Sequence, residues 1–265
     1  MLLDIGADYD TCDKDGWPPV MIACSEGHTE IVRMLLEIGA DYNKCDNDGW
    51  SPVKWACSEG HTEIVRMLLE IGADYNNVTS KESPMMSACS EGHTEIVKML
   101  LDKGADYNKC NNDGWSPVMS ACSQGHTEIV RMLLDIGADY NKCDNNGWSP
   151  VIFACKYRHT EIVKILLDIG ADYNKCNNDG WSPVMSACSE GHTEIVKMLL
   201  DEGADYNKCN NDGWSPVMSA CSEAHTEIVK MLVYIGADYK KCNNDGWSPV
   251  MCACRYGHTE IVRCC

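Results

Sequence analysis

The stretch from Asp179 to Asn211, DGWSPVMSACSEGHTEIVKMLLDEGADYNKCNN, is the unit from which the rest of the chain is built. The Gly-Ala-Asp near its end recurs at Gly6, Gly39, Gly72, Gly104, Gly137, Gly170, Gly203 and Gly236. Every step is 33 residues except that from Gly72 to Gly104, which is 32. A period in this range, with one supersecondary unit per copy, signals a solenoid.

Within a copy the local chemistry spells turn, helix, turn, helix. Ser51-Pro52 starts a helix: the serine oxygen can accept a first-turn N–H, and proline at the first helical position gives up only a donor that would lack a partner. That helix runs from Val53 to about Ser58 and stops at Gly60, a position suited to positive φ. Thr62 and Glu63 open the second helix, with the carboxylate near its positive end. Ile64, Val65, Leu68 and Leu69 form an apolar stripe of helical period, and Gly72 ends it. Asn47-Asp48-Gly49 supplies the tight hairpin turn between copies. A lone helix pair leaves one face bare, and stacking copies is the remedy, each buried stripe residue contributing roughly 1.5–3 kcal/mol.

The pattern divides the chain into a partial repeat (1–14), seven complete repeats over 15–244 (15–47, 48–79, 80–112, 113–145, 146–178, 179–211, 212–244) and a truncated eighth (245–265). Because each unit packs only on its neighbours, the array reads as one elongated domain. Neither end carries a polar capping unit, so a fragment of a longer array or an incomplete gene product is expected.

The 265 residues carry a formal net charge of −18 with 23% charged and 45% apolar content. That balance fits an ordered chain and argues against nucleic acid or an anionic membrane surface as partner, since both need Lys/Arg stripes. A protein partner with a neutral or basic surface is expected.

The eighteen cysteines fall largely into two ladders. One holds Cys24, Cys57, Cys89, Cys122, Cys155, Cys188, Cys221 and Cys254; the other holds Cys12, Cys45, Cys110, Cys143, Cys176, Cys209 and Cys242. Equivalent residues of packed helices lie about 8–10 Å apart, beyond the ~7 Å Cα limit of a disulfide. No leader-like or membrane-length apolar segment is present, so a reducing, cytoplasmic setting is expected. Asn77-Val78-Thr79 matches a glycosylation sequon and reads as chance without a secretion signal.

These residues resemble the ankyrin repeat closely and in register over essentially the whole chain. The likeness rests on Gly-x-Ser-Pro-Val opening the first helix, Ala-Cys-x-x-Gly-His closing it, Glu-Ile-Val-x-x-Leu-Leu in the second, then Gly-Ala-Asp-x-Asn. The resemblance implies an all-α solenoid of stacked helix-turn-helix units with hairpin fingers, whose concave face binds other proteins. The chain also departs from the family. The histidine of the usual Thr-Pro-Leu-His is Met21, Met86, Met119, Met185, Met218 or Met251, with Lys54 and Ile152 elsewhere, which puts the family's hydrogen-bond network there in doubt. Arg158 and Ala224 replace the glycine after the first helix, and the finger between Asn76 and Pro84 is one residue short, so an irregularity is expected there.

The histidine row, His28, His61, His93, His126, His159, His192, His225 and His258, reads as structural, because metal ligands must converge rather than form a row. No phosphate cradle, Cys-x-x-Cys pair or convergent Ser/His/Asp set appears, so no enzyme, cofactor, metal or small-molecule substrate is expected.

Trp17, Trp50, Trp115, Trp148, Trp181, Trp214 and Trp247 each follow a turn glycine, a finger position that in this family often faces the partner. Tryptophan suits a binding hot spot, and it equally suits packing that stiffens a finger. The site held by Ser87, Ser120, Ser186 and Ser219 becomes Ile22, Trp55, Phe153 or Cys252 elsewhere. Ser-Glu after the first helix becomes Lys156-Tyr157 in the fifth repeat and Arg255-Tyr256 in the eighth. Trp148, Phe153, Lys156 and Tyr157 are the expected centre of a binding patch, with Trp55 and Tyr256 as outlying candidates. The resemblance further suggests asparagine hydroxylation at Asn43, Asn108, Asn141, Asn174 and Asn207. The function expected is a non-enzymatic scaffold or adaptor, the alternative being a regulatory or targeting segment of a larger enzyme or channel. A secreted effector built on the same repeat is a third reading.

Overall fold

The structure is a computed structural model that describes residues 8–76 and 82–264. The start at Met1-Leu2-Leu3, the sequon at Asn77, the tip of the shortened finger and Cys265 lie outside the described residues. The chain forms two compact units, Met1–Ala138 and Asp139–Cys265.

Among the described residues there are sixteen helices and no strand. The first unit holds α1 (Pro19–Ser25), α2 (Thr29–Glu37), α3 (Pro52–Glu59), α4 (Thr62–Glu70), α5 (Pro84–Glu91), α6 (Thr94–Asp102), α7 (Pro117–Gln124) and α8 (Thr127–Asp135). The second holds α9 (Pro150–Lys156), α10 (Thr160–Asp168), α11 (Pro183–Ser189), α12 (Thr193–Asp201), α13 (Pro216–Ser222), α14 (Thr226–Tyr234), α15 (Pro249–Arg255) and α16 (Thr259–Cys264). In each unit the first helices of successive repeats pack in series, as do the second helices.

The starts of α3 and α11 follow from their caps. Ser51 Oγ accepts the Lys54 N–H at 3.4 Å, and Ser182 Oγ accepts that of Met185 at 3.2 Å, each ahead of a proline in the first turn. Gly60 ends α3 at φ 77°, a left-handed conformation. Arg158 and Ala224 hold the same place in their repeats and are left-handed too, both at φ 64°.

The stripe Ile64, Val65, Leu68 and Leu69 is buried between helix layers. Met86, Met119, Met185 and Met218 are buried apolar plugs, so a hydrogen-bonding histidine gives way to packing there. Cys57, Cys89, Cys122, Cys155, Cys188 and Cys221 are buried and outside any disulfide, while the finger cysteines from Cys12 to Cys209 are half-buried and Cys242 is exposed.

Three hydrogen-bond ladders join one repeat to the next. His61 Nε2 donates to the Ser25 carbonyl at 2.9 Å, and His93, His126, His192, His225 and His258 repeat this at 2.8–3.0 Å. The histidine row therefore ties successive turns together. Tyr42, Tyr107, Tyr140 and Tyr206 donate their hydroxyls at 3.0–3.2 Å to the carbonyl at the end of the following repeat's second helix; Tyr75 and Tyr173 do so at 2.6 Å. Finger tips are joined by asparagine: Asn178, Asn211 and Asn244 each donate Nδ2 to a carbonyl one repeat back, at 2.8–2.9 Å.

Candidate protein-binding face

Each finger tryptophan is set by the residue four positions before it. In the first unit Asp46 accepts the N–H groups of Asp48 at 3.0 Å and Trp50 at 2.7 Å through Oδ1, while its own N–H bonds the Trp50 carbonyl at 2.9 Å. Asn177 does the same for Asp179 and Trp181, at 3.0 and 2.8 Å. The side-chain acceptor closes the turn and launches the indole at a fixed angle. All seven finger tryptophans are half-buried.

In the first unit the aromatic rings pack on one another. Trp55 lies between Trp17 and Trp50, with centroids 4.7 and 4.4 Å away, and its Nε1 donates to Asp46 Oδ2 at 3.2 Å. The buried Lys54 places Nζ 3.7 Å from the Trp50 ring centre. Trp115 donates Nε1 to Ser120 Oγ at 2.8 Å. These contacts stiffen the fingers.

In the second unit Trp148, Phe153, Lys156 and Tyr157 lie near one another, with Phe153 buried. Phe153 is 7% exposed, beneath Trp148 at 5.4 Å and beside Tyr157 at 6.5 Å. Its bulk fills the place that serine holds in other repeats, so it supports the patch without presenting itself. Lys156 sets Nζ 4.9 Å from the Trp148 ring and 5.6 Å from that of the exposed Tyr157. Arg255 repeats the arrangement over Trp247 at 5.1 Å and the exposed Tyr256 at 5.7 Å.

Successive fingers of this unit wall three clefts. The first, about 190 Å³, lies between Trp148 and Trp181 and includes Lys156 and Glu190. The second, about 240 Å³, lies between Trp181 and Trp214 and includes Asp212 and Glu223. The third, about 130 Å³, lies between Trp214 and Trp247 and includes Arg255 and Tyr256. Clefts of this size admit single side chains rather than a cofactor.

Burial pushes the Cys24 thiol up to about 12 and raises Cys57 and Cys155 as well, leaving them protonated at neutral pH. Among the described residues no group of three His, Cys, Asp or Glu side chains is placed to hold a metal ion. Nor is any described helix long and apolar enough to cross a membrane.

Asn43, Asn141, Asn174 and Asn207, the hydroxylation candidates, each accept through Oδ1 the N–H of the aspartate 31 residues on, at 2.9–3.1 Å. Asn108, half-buried, donates its backbone N–H to Asp106 Oδ1 at 2.9 Å. The tyrosine and finger-asparagine ladders escaped the sequence reading, although recurrence of both residues at fixed places in the repeat was the available signal.

No curated protein matches the sequence. Among solved structures, the ankyrin repeat domain of human ASB11 aligns with a TM-score of 0.71 and 27% identity, over 76% of this chain and 90% of that one. The family model "Ankyrin repeats (3 copies)" matches residues 1–79, 71–144, 136–210 and 202–264. With the helix pairs, the histidine ties and the left-handed turns in register, the chain belongs to the ankyrin repeat family.

Proposed function

We propose that the protein is a non-enzymatic scaffold or adaptor that grips a protein partner on its concave, first-helix-and-finger face. Ankyrin repeats are generally protein–protein interaction modules. The observation that carries the reading is the run of three clefts walled by Trp148, Trp181, Trp214 and Trp247, each open enough for a partner side chain. Rigid, half-buried indoles bury a large area at small entropic cost. The charge of −18 favours a neutral or basic partner surface. The cysteine ladders, whose equivalent members stand too far apart to pair, support a reducing, cytoplasmic setting.

A photo-crosslinking amino acid at Tyr157 or Glu190, on this face, is expected to capture the same protein from the source cell. The same group at Lys197 or Lys230, exposed on α12 and α14, is expected not to capture it. Capture from the second-helix positions alone would overturn the reading.

Asn43, Asn141 and Asn207 are exposed and are proposed as hydroxylation sites. Intact-mass measurement after expression with an asparagine hydroxylase is expected to show added oxygen; an unchanged mass removes the proposal.

A further inference from the structure

Residues 156, 189, 222 and 255 occupy the same place in successive repeats and are Lys, Ser, Ser and Arg. Their partners in the finger are Trp148, Trp181, Trp214 and Trp247. Where the residue is Lys156 or Arg255, the chain lays its own cation over its own indole, at 4.9 and 5.1 Å. Where it is Ser189 or Ser222, the side chain is too short to reach. The next position changes in step. It is Tyr157 or Tyr256 after the cation and Glu190 or Glu223 after the serine. Two of the four repeats thus supply a positive charge to the face, and two supply a negative one.

The cleft with serine on both sides is the largest of the three, about 240 Å³, against about 190 Å³ beside Lys156 and about 130 Å³ beside Arg255. Its walls are Trp181 and Trp214, its floor includes Ser219 and Ser222, and Asp212 and Glu223 contribute two carboxylates. Glu223 accepts a bond only from Ser222 Oγ at 3.5 Å, and neither carboxylate is in an ion pair among the described residues. Aromatic faces attract cations, and the planar guanidinium combines stacking on an indole with donors for carboxylate oxygens.

We propose that the cleft between Trp181 and Trp214 receives an arginine side chain from an extended basic segment of a partner protein, in the place that Lys156 and Arg255 fill from within the chain. The proposal rests on the protein-binding reading and names the residue class that this face recognises. The occupant is a peptide arginine because the neighbouring clefts open beside it along the same row of fingers, giving the flanking residues somewhere to lie.

The test is a titration of the full chain, followed by the indole N–H signals in NMR. The probe is a glycine-flanked arginine peptide, with a citrulline peptide as its uncharged isostere. The arginine peptide is expected to shift the Trp181 and Trp214 signals, and citrulline to bind about tenfold more weakly. Ser222→Arg copies the arrangement the eighth repeat already has at Arg255, so the fold tolerates it, and it is expected to weaken the peptide about tenfold by filling the cleft. Glu223→Gln is expected to weaken it severalfold. Equal binding of both peptides, affinity unchanged in both variants, or free arginine binding as tightly as the peptide would each overturn the proposal. Crosslinking at Tyr157 and Glu190 is a separate readout: a partner captured there while the arginine peptide fails removes the arginine and leaves the protein-binding face standing.

Discussion

At position 60 the chain has glycine, and at the equivalent position 224 it has alanine, both in the left-handed region. A Cβ built on Gly60 would stand 2.5 Å from His93 Cε1, and one on Gly191 would stand 2.4 Å from His225 Cε1. Position 224 therefore carries the backbone strain of a left-handed non-glycine residue, while His258 Nε2, the tie of the next repeat, reaches the Ser222 carbonyl at 2.8 Å. The strain is worth ~1–2 kcal/mol for a non-glycine residue. Glycine gives back ~0.4–1 kcal/mol through the freer unfolded chain. Ala224→Gly is thus expected to stabilise the protein by about 1 kcal/mol, read as a higher urea midpoint at unchanged m-value. A lower midpoint would mean that the turn has relaxed around alanine and that the strain is absent.

Helices and caps were legible because their causes are local. Ser51, Pro52 and Gly60 start and stop α3 with groups inside one repeat, and the bonds fall where the sequence places them. The fate of the tryptophans was not legible, because it depends on the residue five positions on. Trp55 packs tilted against Trp50, Phe153 props Trp148 from below, and serine leaves Trp181 beside an open cleft. The tyrosine ladder was hidden for a different reason: its acceptor is a backbone carbonyl 28–29 residues away, and a carbonyl has no sequence signature. Tyr173→Phe removes the 2.6 Å bond to the Glu202 carbonyl and is expected to cost about 1 kcal/mol in denaturant unfolding. Tyr234, 92% exposed, is the control, and Tyr234→Phe is expected to change nothing. The cysteine ladder of the first helices adds a pH dependence. Burial raises Cys24, Cys57, Cys89, Cys122, Cys155 and Cys188 above their unfolded value, to about 12 for Cys24, so the stabilisation is whole below the unfolded value of ~8.5 and is lost as pH rises toward the folded one. Stability is expected to fall between about pH 9 and 12, and Cys57→Ala to make the fall shallower. A flat alkaline profile would show that the thiols ionise equally in both states.

Across the whole chain 40 acidic residues outnumber 22 basic ones, giving −18, and this excess is the setting in which the arginine cleft works. A basic segment is drawn in by the field of the whole protein and then held by two short-range contacts, the indole faces of Trp181 and Trp214 and the carboxylates of Asp212 and Glu223. These parts respond differently to salt. The Debye length shrinks from about 10 Å at 0.1 M to about 3 Å at 1 M, so long-range attraction fades and the exposed carboxylates are screened. The stacking of guanidinium on indole persists, because it acts at contact. Affinity for the arginine peptide is therefore expected to fall as salt rises and to level off above zero, with most of the early loss in the association rate. Stopped-flow tryptophan fluorescence across a salt series separates the two parts. An affinity indifferent to salt would mean that the net charge plays no part in recognition. A fall to nothing at high salt would mean that the indoles contribute no attraction of their own, and that the cleft is only a place where charge gathers.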